Sequence, residues 1–287
     1  MKKINTYLTS LGLFYVAAMW GSTFIVIKSS LPYISPNALN AYRFLLAAII
    51  LGIILTIQQK PLFKNLKEGT VLGVILCCVF AAQTFGVQYT SATNAGFLSG
   101  LFIVFTPLLS LAFFKQKLSL KKVISIIVSI TGLWILSGGL KNINTGDILI
   151  ILAALFFATY LLISNNFIKK EIDPYVISFQ QFLFVGILSV SLGFLFKSPL
   201  TLQSSIALWA IIFLAIFPTL SAYIIQLVAQ KTTTPFKIAL IFTTQPLFSA
   251  LFACVLGGEQ FLPRHAIGGI LIVLAMIISE LRGKQET

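Results

Sequence analysis

Arg43 is the one charge that lies clearly inside a long apolar stretch of this 287-residue chain. An ionisable side chain in such a place is costly and normally has a task. Two tasks suit it. As a cationic handle it would hold the carboxylate of a small solute. As a structural group it would snorkel toward the nearer surface or bond to carbonyls of its neighbours. The acids lie elsewhere: Asp147, Glu259 and Glu280 fall at the ends of apolar stretches. Asp147 is expected to begin a helix, where a carboxylate stabilises the positive end. Glu259 is expected to pair with Arg264. Proton relays and capture of cationic drugs usually need a buried carboxylate. Any small molecule that Arg43 holds is therefore expected to be neutral or zwitterionic overall.

Uncharged polar and aromatic groups gather near the middle of other stretches. They are Trp20 and Phe24 in the first, Gln83 in the third, Phe157 and Tyr160 in the sixth, Thr219 in the eighth, and Thr244 and Gln245 in the ninth. Gln181 and Tyr223 lie nearer one end. An unpaired amide in hydrocarbon is expensive, so Gln83 and Gln245 should face protein or a wet cavity. Bonding between helices is the plainer use. Trp20 sits away from the interfaces where Trp usually anchors, which suits a cavity wall or packing. Trp134 and Trp209, nearer the ends of their stretches, suit anchoring. The candidate solute-binding set is Trp20, Phe24, Arg43, Gln83, Tyr160, Gln181, Tyr223 and Gln245.

Enzyme chemistry has little to draw on. The single histidine, His265, stands at a stretch end beside Arg264. There is no metal-ligand spacing, P-loop or Gly-x-Ser-x-Gly, and serines without a base do not make a nucleophile. Cys77, Cys78 and Cys254 lie inside apolar stretches and read as small buried hydrophobes. No cofactor, no metal and no catalytic residue is expected.

The elements that position these residues follow from composition. Of the chain, 58% is apolar and 9% charged, with a mean hydropathy of +0.99. A soluble domain carries about 25% charged residues, so a single soluble globule is excluded. The apolar residues form ten blocks, 8–28, 37–57, 70–89, 94–114, 121–139, 147–167, 174–196, 205–226, 236–257 and 265–281. Each approaches the roughly 20 residues that a helix needs to cross a bilayer. The blocks are continuously apolar rather than alternating, which argues against a strand barrel. Short connectors hold turn residues such as Ser35-Pro36-Asn37, Asp173-Pro174 and Gly257-Gly258. The first block is expected to be retained rather than cleaved as a signal.

The net charge of +13 is carried by short loops rather than by a basic arm or helix, so nucleic acid is not expected as a partner. With the N-terminus inside, fifteen Lys and Arg fall on the inner side and four on the outer side, namely Lys28, Lys141, Lys197 and Arg264. That bias orients the chain with both termini cytoplasmic. A missing or extra crossing would swap every later loop, so the count supports ten.

The halves also resemble each other. Residues 17–44 align with 153–182, so that Pro36 meets Pro174 and Arg43 meets Gln181. Residues 105–119 align with 243–262, so that Pro107 meets Pro246. Five crossings per copy is an odd number, so the second copy must run in the opposite sense. Repeats of this kind build carriers whose solute site lies at their interface near the midplane. Pro107 and Pro246 can each bend their helix, as a hinge or as a static kink. Gly96-Phe97-Leu98-Ser99-Gly100 permits close helix approach, within one chain or against a second protomer.

Ala18-Met19-Trp20-Gly21-Ser22-Thr23-Phe24 resembles the first-helix signature of the drug/metabolite transporter superfamily, EamA-like branch. Pro36 with Arg43-Phe44-Leu45-Leu46-Ala47 resembles that family's entry to the second helix. Gly146-Asp147 before Ala153, Ala154 and Ala158 resembles the opening of its second repeat. Gln245-Pro246, Gly257-Gly258-Glu259 and Gly268 resemble its ninth and tenth helices. Two positions depart from the pattern. Gln245 stands where the family often has Glu, and Gln116 stands where the first repeat would match Glu259. Both changes remove acid.

The resemblance implies passage of small organic solutes such as amino acids or related metabolites. The expected molecule is an all-α integral membrane protein with ten transmembrane helices. These form two inverted-topology five-helix repeats, residues 1–140 and 141–287. It would sit in the cytoplasmic membrane as a monomer or homodimer, with a small-molecule substrate and the lipid bilayer as partners. Alternating access through a central cavity would give efflux or exchange. Two alternatives are an exporter of toxic or lipophilic compounds and a membrane scaffold or subunit without a transport cycle.

Overall fold

The punctuation residues of the sequence set the helix boundaries. In a computed structural model that describes residues 6–115, 119–139, 143–258, 260 and 262–280, α1 spans Thr6–Ser30 and α2 spans Pro36–Ile57. The Ser35 hydroxyl accepts from the Ala38 amide, and Pro36 occupies the first turn of α2, where a missing N–H costs nothing. After α3 (Leu66–Tyr89) come two shorter pieces, α4 (Ala92–Ser99) and α5 (Phe102–Phe114), then α6 (Leu120–Ser137). Gly138 ends α6 at φ 76°, a left-handed turn that only glycine adopts freely.

The second half opens with α7 (Thr145–Lys169). Asn144 caps it and Asp147 bonds back to the Asn144 amide, a reciprocal capping box. Asp147 thus serves the helix start from the third position of the first turn, with Asn144 as the cap itself. Asp173 and Pro174 start α8 (Pro174–Leu195) as Ser35 and Pro36 start α2. Next come α9 (Ser205–Leu214), a π-helical segment (Ala215–Ser221) and α10 (Ala222–Ala229). The described chain closes with α11 (Pro235–Phe242), α12 (Gln245–Gly257) and α13 (Pro263–Glu280).

No strand occurs among the described residues. Eight stretches are long and apolar enough to cross a membrane, with α4–α5, α9–α10 and α11–α12 each counting as one. The blocks expected at 121–139 and 265–281 form α6 and α13, each of 18 residues. The Ile278 end bounds a shorter apolar helix, Pro263–Ile278. The expected Glu259–Arg264 pair, Gln116 and the charged ends of the chain lie outside the described residues.

Polarity is distributed inside out. Ile49, Ile53 and Ile57 of α2, and Ile270 and Ile277 of α13, are exposed. Arg43, Gln181, Gln226 and Gln230 are wholly buried. Water as the surrounding solvent would select the reverse, whereas hydrocarbon selects this arrangement. Trp134 and Trp209 are half or more exposed near helix ends.

Packing joins the two halves throughout. α2 lies along α8, α3 along α7 and α8, α1 along α10 and α12, α4 and α5 along α7, and α6 along α13. The α6–α13 crossing brings backbones together, because a Cβ on Gly268 would come within 2.5 Å of the Gly132 carbonyl. The Gly96–Gly100 motif packs within the chain, with Gly96 on Ser249 of α12 and Gly100 on Leu133 of α6.

Polar ties hold both ends of α3. Before its start, Lys60 pairs with Asp173 at 2.6 Å, and the Gln180 amide donates to the carbonyls of Leu62 and Lys64. Past its end, the Lys28 ammonium donates to the Val87 and Thr90 carbonyls, and the Thr90 hydroxyl bonds Asp147 at 2.6 Å.

Candidate functional site

Three of the apolar stretches lose their regular α-form part-way along. Between α4 and α5 the chain turns at Gly100–Leu101, and between α11 and α12 at Thr243–Thr244. Both turns are tightened by i→i−3 bonds, such as Leu101 N to Leu98 O and Thr244 N to Ile241 O. The third irregularity is the π-helical segment, which contains Pro218. Proline has no N–H to give and crowds the carbonyl four residues back. Irregular backbone at membrane depth is tolerated where protein buries it or where it lines a cavity.

Residues that flank these segments line a cavity of about 40 Å³. One water takes about 10–15 Å³ on this measure, so the space holds a few waters. Ser99 and Phe102 flank the first turn, Gln245 follows the second, and Tyr223 stands just beyond the π segment; all four line the cavity.

The π segment also turns polar groups toward α1 and α2. The Trp20 indole donates to the Pro218 carbonyl at 2.8 Å. The Thr219 hydroxyl accepts from Arg43 Nε at 3.1 Å and Nη2 at 2.9 Å. Trp20 packs edge-on to Phe157 and Phe242 and tilted on Tyr223, with centroids 4.8–5.2 Å away. Gly21 permits this placement, since a Cβ there would lie 2.8 Å from the Gln245 carbonyl and 2.6 Å from the Phe248 Cβ. The Trp-Gly pair therefore seats the first turn of α12 against α1.

Arg43 is fully buried. Its guanidinium carbon lies 4.6 Å from the Phe80 ring centre and 5.0 Å from that of Phe44, contacts that favour a cation. Among the described residues no Asp or Glu lines the cavity. The remaining nitrogen, Nη1, is buried and has no hydrogen-bond partner. Arg43 thus bonds to a side-chain hydroxyl and two aromatic faces, where surface snorkelling or backbone carbonyls were the structural expectation.

Of the eight residues singled out from sequence, Trp20, Arg43, Gln83, Tyr223 and Gln245 come together on the cavity wall. Tyr160 stands behind the wall, stacked on Phe157 and edge-on to Tyr223. Its hydroxyl donates to Gln181 Oε1 at 2.9 Å. Phe24 is buried beside Gly96, away from the cavity. Thr23, Val79, Phe80, Ser99, Phe102, Ala153, Ala154 and Phe157 complete the lining. Sequence reasoning placed Phe157 and Thr219 at mid-block but left both out of the site. Pro218 was the available signal for the irregular turn that presents Thr219.

Comparison with known proteins resolves the family. The EamA-like transporter family matches residues 8–138 and again residues 144–280. The chain belongs to the EamA-like transporter family. An uncharacterized transporter of Archaeoglobus fulgidus is 31% identical over 95% of this chain and 85% of its own length. The uncharacterized transporter YyaM of Bacillus subtilis is 29% identical over 96% of this chain and 94% of its own. One solved crystal structure shares the fold, with a TM-score of 0.81 at 19% identity over 96% of this chain and 97% of that one. This EamA-like protein is a multi-pass membrane transporter, and its cavity stands where the two matched segments pack against each other.

Proposed function

We propose that the chain carries small carboxylate-bearing, zwitterionic solutes, such as amino acids or related metabolites, across the cytoplasmic membrane by efflux or exchange. Ten crossings would form two inverted five-helix repeats that rock about the central cavity. The twofold family match supports the repeat reading, as does the pairing of α1 with α12 and of α7 with α4 and α5. A cavity with room for a few waters must widen to admit a solute, which fits a carrier described in a closed state.

The observation that carries the solute class is Arg43, buried at the wall with Nη1 unpartnered and no lining acid to neutralise it. A guanidinium supplies forked donors that suit a carboxylate. The amides of Gln83 and Gln245 can accept from an ammonium, and the aromatic rings receive an apolar side chain. The aromatic lining favours a second reading, export of lipophilic compounds, in which Arg43 serves structure alone.

A thermal-shift screen of purified protein against amino acids and related metabolites separates the two. A binder raises apparent stability by mass action, by about 2.7 kcal/mol at a hundred times its Kd. Arg43→Ala should abolish that rise for carboxylates while esters of the same compounds give little in either protein. Equal responses to acid and ester would remove the carboxylate reading.

A further inference from the structure

A seam of buried polar side chains runs from the cavity along α10. Thr219, Tyr223, Gln226 and Gln230 recur at intervals of four, three and four residues, one helical face. None is more than 2% exposed. That face meets α7 and α8, and at its cavity end also Trp20 of α1, Arg43 of α2 and Phe80 of α3. The Tyr223 ring meets Tyr160 at 5.7 Å and Phe182 at 6.0 Å. Gln230 Nε2 donates to the Leu161 carbonyl at 3.0 Å. Gln226 lies between these two contacts on the same face.

Hydrogen-bonding capacity is left over along the seam. Both amide atoms of Gln226, Nε2 of Gln181 and Oε1 of Gln230 are buried without a partner. Leaving a buried donor or acceptor unpaired costs about 1–3 kcal/mol, and a permanently closed contact between these helices would be better served by leucine. At the cavity end of the seam Tyr160, whose hydroxyl bonds Gln181, meets Tyr223, and at its other end Gln230 stands one residue before Lys231.

We propose that this seam is the closed cytoplasmic half of the solute path, and that Gln226 is a second polar station within it. The inference rests on the proposed passage of a zwitterion through the central cavity. An amide both donates and accepts. Gln226 can therefore receive the carboxylate released by Arg43 as well as an ammonium, without holding either as a charge would. The parting of α10 from α7 and α8 would hydrate the seam and let the solute move from Arg43 past Gln226 to Gln230.

Cysteine accessibility tests the path. In a background with Cys77, Cys78 and Cys254 replaced by Ala, a charged methanethiosulfonate reagent is applied to each side of membrane vesicles. Gln226→Cys should react from the cytoplasmic side at least about tenfold faster than Ile225→Cys, whose side chain packs on Gly12 of α1. Gln83→Cys reports the central cavity. A Gln226→Cys as inert as Ile225→Cys, with Gln83→Cys reactive, would overturn the station and leave the cavity reading intact. An inert Gln83→Cys would overturn both. In proteoliposomes, Gln226→Leu should keep the thermal response to the amino-acid panel and slow exchange of those amino acids about tenfold, the value of one lost hydrogen bond. Undiminished exchange would also overturn the station, and the cysteine assay decides should the leucine variant fail to fold.

Discussion

Arg43 holds its charge inside the protein against a hydroxyl and two aromatic rings, with no lining acid to meet it. A buried ion is a poor investment in stability, and apolar residues of similar size in its place are often neutral or stabilising by about 1–4 kcal/mol. Arg43→Met should accordingly leave the thermal midpoint of the solute-free protein unchanged or raised, while removing the response to carboxylates. A fallen midpoint in the same scan would mark Arg43 as a structural brace. At the edge of the molecule Asp173 behaves differently. Burial pushes its carboxyl up, but the Lys60 ammonium and the Tyr175 amide outweigh burial and hold it below the ordinary carboxylate range. A depressed folded value means the pair stabilises fully above about pH 4, the usual Asp value. That share fades as pH falls through the lower folded value. Partly exposed pairs contribute at most about 1 kcal/mol. Asp173→Asn keeps the helix cap, so it should lower the midpoint slightly at neutral pH. The difference should vanish in buffers acid enough to protonate the wild-type carboxyl.

The element scale belongs to the interrupted helices. Pro218→Ala would return an N–H to the π segment and allow α9 and α10 to run as one regular helix. Proline inside a helix costs about 3 kcal/mol, so the variant should unfold at a higher temperature. Regularising the segment would also turn the Pro218 carbonyl and Thr219 away from Trp20 and Arg43. Exchange in proteoliposomes should then fall at least about tenfold, as expected when stability is gained at the expense of a working site. A stabler protein with normal exchange would show that the irregular turn is dispensable. The sequence made the helices legible because hydrocarbon demands long apolar runs, and Ser35-Pro36, Asp173-Pro174 and Gly138 gave their ends. It made the breaks legible only in part. Pro218 marks the π segment and the polar run Thr243-Thr244-Gln245 before Pro246 marks the second turn, whereas Gly100–Leu101 carries no proline within four residues. The bend expected at Pro246 coincides with a break, since α11 ends at Phe242 and Pro246 stands in the first turn of α12, whereas Pro107 lies inside α5, six residues past the Gly100–Leu101 turn. At the site, polar residues stranded in apolar blocks were visible singly, and Trp20, Arg43, Gln83, Tyr223 and Gln245 do converge. The Tyr160–Gln181 bond was not visible, because it depends on the tertiary arrangement that brings α7 and α8 within side-chain reach.

At the scale of the whole molecule, the halves are interleaved rather than side by side. The five most extensive helix pairings, α6 with α13, α3 with α7, α2 with α8, α3 with α8 and α1 with α12, each join an element before residue 140 to one after it. The proposed orientation makes a simple demand. Epitope tags inserted at residue 142 and placed after the C-terminus should be reached by antibody from opposite faces of the membrane. Labelling from the same face in intact cells would end the five-plus-five reading. Within that plan α6 and α13 cross with their backbones in contact at Gly132 and Gly268. In the proposed rocking cycle such a close crossing would suit a fixed spine, leaving α1, α7, α8 and α10 as the elements that would move.

The uncompensated guanidinium also has an electrical side. A membrane potential of 100 mV acts on each elementary charge moved through it with about 2.3 kcal/mol. An empty carrier that reorients with Arg43 bare would move positive charge through part of that field. A carrier loaded with a zwitterion moves the same charge, whereas one loaded with a plain monoanion moves none. Voltage would therefore speed one of these two steps and slow the other, while the full cycle of a zwitterion, which returns the same charge it carried out, would take no net energy from the potential.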